Sequence, residues 1–403
     1  MEPDNIFSNR SSLLINNRAG AGAGAGAEAA AIGAEEVDRN ETLDRRGSYK
    51  PLTIFRAIRG ITCLSILLST ALMMLIYLSP LTFVLVRFFS LRYSRRLVAF
   101  FFGRWLSMWP FLFEKINGTK VVFAGDRVPD SERVLLICNH RTEVDWMYLW
   151  NLALRKSRIG YVKYVVKSSV RNAPIFGWAF YVVEFLLLDR KWELDEPIIK
   201  SYLSSFQDKR DPLWLIIFPE GTDFTEQKML KGQQFAEIRG LPKLENVLMP
   251  RTRGFIACLS QLHSSLDAVY DLTIGYNYCC PRFIDNLFGI DPAEVHIHVR
   301  RIPINDIPTS EDALSGWLYE AFLKKDKLLT YFKRHSHFQS SGIEKELDTA
   351  SGLSNFVLII LCTVLMLRFT FSSFLWLKLY VACSCLYLTG ATYANWKPVP
   401  LFS

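Results

Sequence analysis

What this 403-residue chain lacks narrows the field first. Its eight cysteines (Cys63, Cys138, Cys258, Cys279, Cys280, Cys362, Cys383 and Cys385) form no CxxC pair and no metal-ligand cadence. That argues against a zinc site or a disulfide framework, and no metal is expected. Several lie in apolar runs, where cysteine behaves as a small hydrophobe, reduced and facing cytosol or lipid. No segment repeats at 20–50 residues, which sets solenoids aside. No secretory leader is read either, because the first long apolar run begins only after residue 50. Acidic residues are missing from Trp146 to Val183, while Arg155, Lys156, Arg158, Lys163, Lys167 and Arg171 lie inside that interval. No nucleic-acid-binding module accompanies this charge, so nucleic acid is not an expected partner.

What is present points to a membrane. Half the residues are hydrophobic and the net charge is +8; mean hydropathy is +0.15 and the pI about 9.0. A basic, greasy chain suits an anionic surface or phosphorylated substrates. Residues 1–50 read as a disordered, low-complexity N-terminus around "AGAGAGAGAEAAAIGAEE". Residues 51–114 follow as transmembrane or interfacial helices. Within them Ile61–Val86 carries no charge and is long enough to cross a bilayer, with Pro80 as its expected kink. Arginines and lysines flank it equally on both sides, so its orientation stays open. A second greasy region, 354–390, holds the runs 355–367 and 369–388. Arg368 between them is expected at an interface between two spans, because a charge at the bilayer centre is costly. Residues 336–353 read as a linker and 391–403 as a tail.

Between the anchors, residues 115–335 alternate strand-like and helix-like patterns. Strands are predicted over 120–125, 133–139, 213–218, 269–276 and 294–302, with a helix over 143–156 and another over 316–332. The expected fold class is therefore α/β: a central β-sheet with flanking helices, membrane-anchored by N-terminal and C-terminal hydrophobic helices.

Two stretches carry chemistry. In "CNHRTEVDW" His140 precedes Asp145 by five residues, which on a regular helix separates them by roughly 140°. A strand-to-helix break removes that objection. A loop histidine could fold back over the helix start, where Asp145 would fix its tautomer and leave one nitrogen as a general base. The bland alternative is a carboxylate that merely favours the helix dipole. In "LWLIIFPEGTDF" an apolar strand breaks at Phe218-Pro219-Glu220-Gly221-Thr222. Such a turn presents Glu220, Thr222 and backbone amides at a strand's carboxyl end, where open α/β sheets bind ligands.

Asn139-His140 with Asp145, followed about eighty residues later by Phe218-Pro219-Glu220-Gly221-Thr222, resembles the glycerolipid acyltransferase family. Within it, the pattern is similar to the 1-acylglycerol-3-phosphate (lysophosphatidic acid) acyltransferases of the eukaryotic endoplasmic-reticulum branch, plant type, a branch that also holds lysocardiolipin-type enzymes. Lys167, Pro174 and Gly177 match a segment between the first two motifs, Arg190 the arginine of the second, and Pro250 in "LMPRTRGF" the fourth. The chain departs from many relatives in having Glu184 for glycine, Leu187 for phenylalanine and Met249-Pro250-Arg251 for valine-proline-valine.

The resemblance implies an acyl-CoA-dependent transfer with no cofactor, acyl-CoA being a co-substrate. His140 and Asp145 would be catalytic. Arg190, Glu220, Gly221, Thr222 and Lys167 would bind substrate, and Asn139, Phe218, Pro219 and Pro250 would support the motifs. Arg190 would hold the acceptor's phosphate, the competing reading being a surface arginine paired with Asp189 or Glu193. Glu220 would accept hydrogen bonds from the glycerol hydroxyl or from Arg190. The implied partners are acyl-CoA, lysophosphatidic acid or another lysophospholipid (lysocardiolipin or lysophosphatidylinositol), and the lipid bilayer. The implied location is the endoplasmic-reticulum membrane, multi-pass, with the catalytic domain on the cytosolic side. A non-catalytic membrane scaffold is the rival from another class.

Three further features are weaker. Lys163, Lys167 and Arg171 recur at i, i+4 and i+8, as a basic stripe on one helical face would. His296 and His298 alternate along a strand, and core or edge positions are expected for both. Asn9, Asn40 and Asn117 begin glycosylation sequons that a cytosolic face would leave unused.

Overall fold

Strand residues with buried neighbours on both sides form the centre of this protein. The structure, a computed structural model, describes residues 50–173, 175–277, 280–290, 294–340, 344–372 and 374–401. The low-complexity N-terminal stretch, Pro174 and Cys279 lie outside those residues. The strands are β1 (Lys120–Gly125), β2 (Val134–Cys138), β3 (Val162–Lys167), β4 (Leu186–Leu188), β5 (Trp214–Ile217), β6 (Ala268–Tyr276) and β7 (Glu294–Pro303). They make one sheet of order β1-β7-β6-β2-β5-β3-β4. β6, β2, β5, β3 and β4 run parallel to one another. β7 is antiparallel to β6, and β1 is parallel to β7.

β2 and β5 are buried along their whole length, which is why both read as unbroken apolar runs. Their alternate side chains feed two cores. Leu136, Cys138 and Ile216 join one; Leu135, Ile137, Leu215 and Ile217 join the other. The first core holds α1 (Ile54–Ser79), α2 (Leu91–Leu106) and α3 (Asp145–Arg155), through Leu67, Phe102 and Leu149. The second lies under α5 (Trp192–Ser204), α7 (Thr252–Leu262) and α8 (Glu311–His335), through Leu203, Leu259 and Leu318. α4 (Phe176–Val182) precedes α5, and α6 (Glu226–Ile238) lies between α5 and α7 in the chain.

Among the described residues three helices are long and apolar enough to cross a membrane: Ile54–Phe89, which contains α1, then α9 (Thr349–Phe371) and α10 (Leu375–Ala394). Pro80 does disturb the first, whose turns widen to a π-helical form over Pro80–Leu85, as expected where a proline removes a backbone donor. At the C-terminus the break falls after Arg368, which sits in the last turn of α9, with Lys378 near the start of α10. Both cations therefore flank the same bend. α9 begins inside the stretch read as a linker, and α10 runs into the stretch read as a tail. The hydrophobic helices also touch one another: the Tyr380 hydroxyl donates to the Tyr77 carbonyl at 2.8 Å.

Two strands escaped the sequence reading, and one correction follows from them. Lys163 and Lys167 lie in β3, not on a helix, and Arg171 falls in the 3-10 turn Ser168–Asn172. Val162, Val165 and Val166 favour the extended chain, and Lys163 is buried, donating to the Val183 carbonyl at 2.6 Å. β4 spans only three residues, too few for a visible alternation.

Glu184 explains its own departure from glycine. Its φ is +55°, a conformation glycine adopts freely and other residues rarely. Here the side chain is buried and receives Arg87 Nη1 and Arg95 Nε, each at 2.9 Å. Burial opposes the charge, but Arg95 and Arg87 outweigh it and hold the carboxyl well below its usual range. The segment before β4 is thus tied to the end of the first membrane helix and to α2. Arg87 also donates to the Pro398 carbonyl at 2.7 Å, which adds the C-terminal segment to the same junction.

Candidate active site

Five parallel strands end on one edge of the sheet, and the motif residues collect there. β2 ends at Cys138, and α3 starts at Asp145, so the interval between His140 and Asp145 is a strand-to-helix turn. The His140 ring folds back, and its Nδ1 lies 2.9 Å from Asp145 Oδ2. Asp145 is completely buried. The same Oδ2 accepts the backbone N–H groups of Arg141 (2.5 Å) and Thr142 (2.9 Å). A carboxylate surrounded by donors can only accept, so Nδ1 carries the proton and Nε2 presents its lone pair. Among the described residues Nε2 has no protein partner, and the ring is about one-fifth exposed, at 21%.

Asn139 holds the turn in register. It is buried, and its side chain bonds the backbone of Ile274 twice, Nδ2 to the carbonyl at 3.1 Å and Oδ1 from the amide at 2.8 Å. This extends the β2–β6 pairing one residue beyond the strand. Cys138 is fully buried in the core, and burial pushes its thiol well above the ordinary range, so it is no nucleophile.

The turn after β5 meets His140 directly. Phe218 stacks on the imidazole, centroids 4.6 Å apart. Gly221, at φ +71°, lets the chain close so that its amide donates to the Phe218 carbonyl at 2.9 Å. That amide is therefore unavailable to a substrate. The Glu220 side chain points inward and is buried. Its Oε1 accepts the His140 amide at 3.1 Å, and its Oε2 has no partner. Burial pushes its carboxyl up to about 8, although the backbone amides of His140 and Leu248 pull the other way. The expected contact between Glu220 and Arg190 is not made. Glu220 braces the backbone of the histidine loop instead, because its buried carboxyl is taken up by the His140 amide.

The remaining predicted residues are scattered along the same edge. Thr222 is engaged by Lys228 Nζ at 2.8 Å. Pro250 is buried and precedes Arg251, whose amide donates to the Pro219 carbonyl at 2.8 Å. Lys167 ends β3, and Arg190 follows β4 with φ +63°; both are exposed. Neither Asp189 nor Glu193 pairs with Arg190: Asp189 takes the Ser168 hydroxyl. β4 stands three strand positions from β2, roughly 14 Å at the usual strand spacing.

Sequence reasoning missed Tyr276. The last residue of β6, it donates its hydroxyl to Asp145 Oδ1, and burial followed by the Asp145 charge keeps that phenol protonated. A tyrosine closing an apolar strand carries no local signal of this role. His296 is a core residue, buried against Phe332 and bonded to Glu294 at 3.0 Å, and His298 is half-buried against Phe338. Among the described residues no group of three or more acidic, histidine or cysteine side chains could hold a metal. Asn117 is buried, with its amide donating to the Asn286 carbonyl.

Comparison with known proteins is consistent in kind. A family model described as Acyltransferase matches residues 120–276, and one described as Acyltransferase C-terminus matches residues 285–361. The chain is 54% identical to "Probable 1-acyl-sn-glycerol-3-phosphate acyltransferase 5" of Arabidopsis thaliana, over 87% of this chain and 94% of that one. It is 40% identical to "Lysocardiolipin acyltransferase 1" of Mus musculus, over 62% of this chain and 66% of that one. Among solved structures, the 1-acyl-sn-glycerophosphate (LPA) acyltransferase PlsC of Thermotoga maritima aligns with a TM-score of 0.38 and 15% identity, over 67% of this chain and 97% of that one.

Proposed function

This chain belongs to the acyltransferase family, and from that premise we propose that it transfers a fatty acyl group from acyl-CoA to the sn-2 hydroxyl of lysophosphatidic acid, making phosphatidic acid. The observation that carries the reading is the His140–Asp145 pair at 2.9 Å, with Nε2 open and the Phe218–Thr222 turn beside it.

In the proposed step, Nε2 takes the proton of the acceptor hydroxyl as its oxygen bonds to the thioester carbonyl carbon. Asp145 stabilises the imidazolium so formed. The tetrahedral intermediate then collapses, the carbon–sulfur bond breaks, and the CoA thiolate leaves with the proton from His140. The substrate's own hydroxyl stands where a serine nucleophile would. With the Gly221 amide used inside its turn, other backbone amides of the Phe218–Thr222 turn are the candidate oxyanion donors. Burial favours the protonated form of Glu220, which supports the site by bracing the His140 amide through Oε1. The family resemblance offers Arg190, exposed after β4, as a cation for an anionic group of either substrate. Three apolar helices support a multi-pass membrane enzyme, and we assign it to the endoplasmic reticulum with this edge facing the cytosol.

A second reading, acylation of lysocardiolipin or a similar lysophospholipid, is favoured by the mouse relative at 40% identity. The test is acyl transfer in microsomes carrying wild type or His140→Ala, with acyl-CoA and a panel of lysophospholipids. We expect transfer to lysophosphatidate that falls roughly 10²–10⁴-fold in the variant. Equal rates in the two proteins would exclude His140 as the base, and a stronger preference for another acceptor would exclude lysophosphatidate.

A further inference from the structure

A phosphate on the acceptor needs a cation close to the base, because the reacting hydroxyl and the phosphate sit on adjacent glycerol carbons. Arg190 follows a strand roughly 14 Å along the sheet from β2. A second guanidinium lies beside the site. Arg251 lies over the Phe218–Thr222 turn: a side chain built on Gly221 would bring its first carbon within 3.4 Å of Arg251 Cδ and Nε and 3.6 Å of Cζ. Gly221 adjoins Glu220, whose carboxyl holds the His140 amide.

Arg251 is also fixed at its base and free at its tip. Its backbone is pinned between Pro250 and α7, with the amide on the Pro219 carbonyl at 2.8 Å. Its side chain is exposed, and among the described residues no carboxylate pairs with it. Several other arginines about this domain are committed: Arg87 and Arg95 to Glu184, Arg155 to Glu114, and Arg300 to Asp271. An uncommitted guanidinium held beside a catalytic turn is a phosphate receptor by chemistry, since its fork matches two phosphate oxygens. Valine, found here in many relatives, could not do this.

We propose that Arg251 binds the phosphate of the acceptor lysophospholipid and sets the preference for a phosphate-bearing acceptor over a neutral one. The proposal rests on the acyl-transfer reading above and deepens it. A CoA phosphate offers the same chemistry, so the experiment must separate the two substrates.

The test measures kcat and both KM values for wild type, Arg251→Gln and Arg251→Lys, using oleoyl-CoA with lysophosphatidate or with uncharged monoacylglycerol. Losing a charge-assisted bidentate contact should raise the lysophosphatidate KM roughly 10- to 100-fold in Arg251→Gln. The KM for oleoyl-CoA and the rate on monoacylglycerol should stay at wild-type values. Arg251→Lys, which keeps the charge and loses the fork, should fall between. An unchanged lysophosphatidate KM in Arg251→Gln overturns the assignment, as does a shift confined to oleoyl-CoA or one equally large with monoacylglycerol. A wild type inert toward every acceptor overturns the acyl-transfer reading itself, and this one with it.

Discussion

The hydroxyl of Tyr276, at the carboxyl end of β6, donates to Asp145 Oδ1, at the first residue of α3. With His140 and two backbone amides on Oδ2, the buried carboxylate is held from both sides. Its plane, and therefore the direction in which it turns the imidazole, is set by two different strand ends.

Tyr276→Phe should lower kcat by about tenfold while leaving both KM values near wild type, because it removes no substrate contact. It also leaves Asp145 Oδ1 buried without a donor, which costs about 1–3 kcal/mol of stability. Steady-state kinetics with a thermal melt in detergent check both effects. A change confined to KM would count against a positioning role.

Asp145→Asn should cost far more. The neutral amide cannot balance an imidazolium, and its N–H₂ group competes for the histidine tautomer. A fall in kcat of roughly 10²–10⁴-fold is expected, with helical content by circular dichroism unchanged.

Glu220 predicts a pH effect. Its folded-state value of about 8 lies above the ordinary value of 4.5, so between those limits the folded protein holds a proton that the unfolded chain releases. Stability from this group is therefore greatest near and below pH 4.5 and declines as pH rises to about 8, by a few kcal/mol at most. Glu220→Gln keeps an acceptor for the His140 amide and has nothing to titrate. Its melting temperature should fall less than that of wild type between pH 5 and 8; parallel curves would refute the burial effect.

Glu184→Gly tests the junction beneath the membrane helices. Glycine relieves the positive φ, worth about 1–2 kcal/mol, yet strands Arg87 and Arg95 in a buried site. Breaking a buried pair on one side costs about 3–5 kcal/mol, so the variant should be the less stable of the two by thermal melting in detergent. A more stable variant would mean that the arginines find water.

How much of this was legible varied with locality. The break between β2 and α3 showed in "RVLLI" giving way to Asn139-His140, since an apolar run and a polar turn are local properties. The strand β3 did not show, because Lys163, Lys167 and Arg171 fit a helical spacing, and only the tertiary burial of Lys163 against the Val183 carbonyl favours the strand. Glu220 read as a ligand-facing acid, but the turn after β2 supplies a backbone amide that a linear pattern cannot announce.

By itself, the sequence determined the parts whose causes lie within a few residues: the apolar runs long enough to cross a membrane, the alternation that builds an α/β sheet, and the two turns carrying His140–Asp145 and Phe218–Thr222. The tertiary structure alone decided which strand ends became neighbours. Parallel pairing of β2 with β5 and β6 brings Glu220 and Tyr276 to the histidine turn from about 80 and 130 residues away. Pairing of sheet strands is a long-range packing outcome, fixed by which apolar faces are buried together. That is why the His140–Asp145 pairing could be read in advance, and the residues that hold it in place could not.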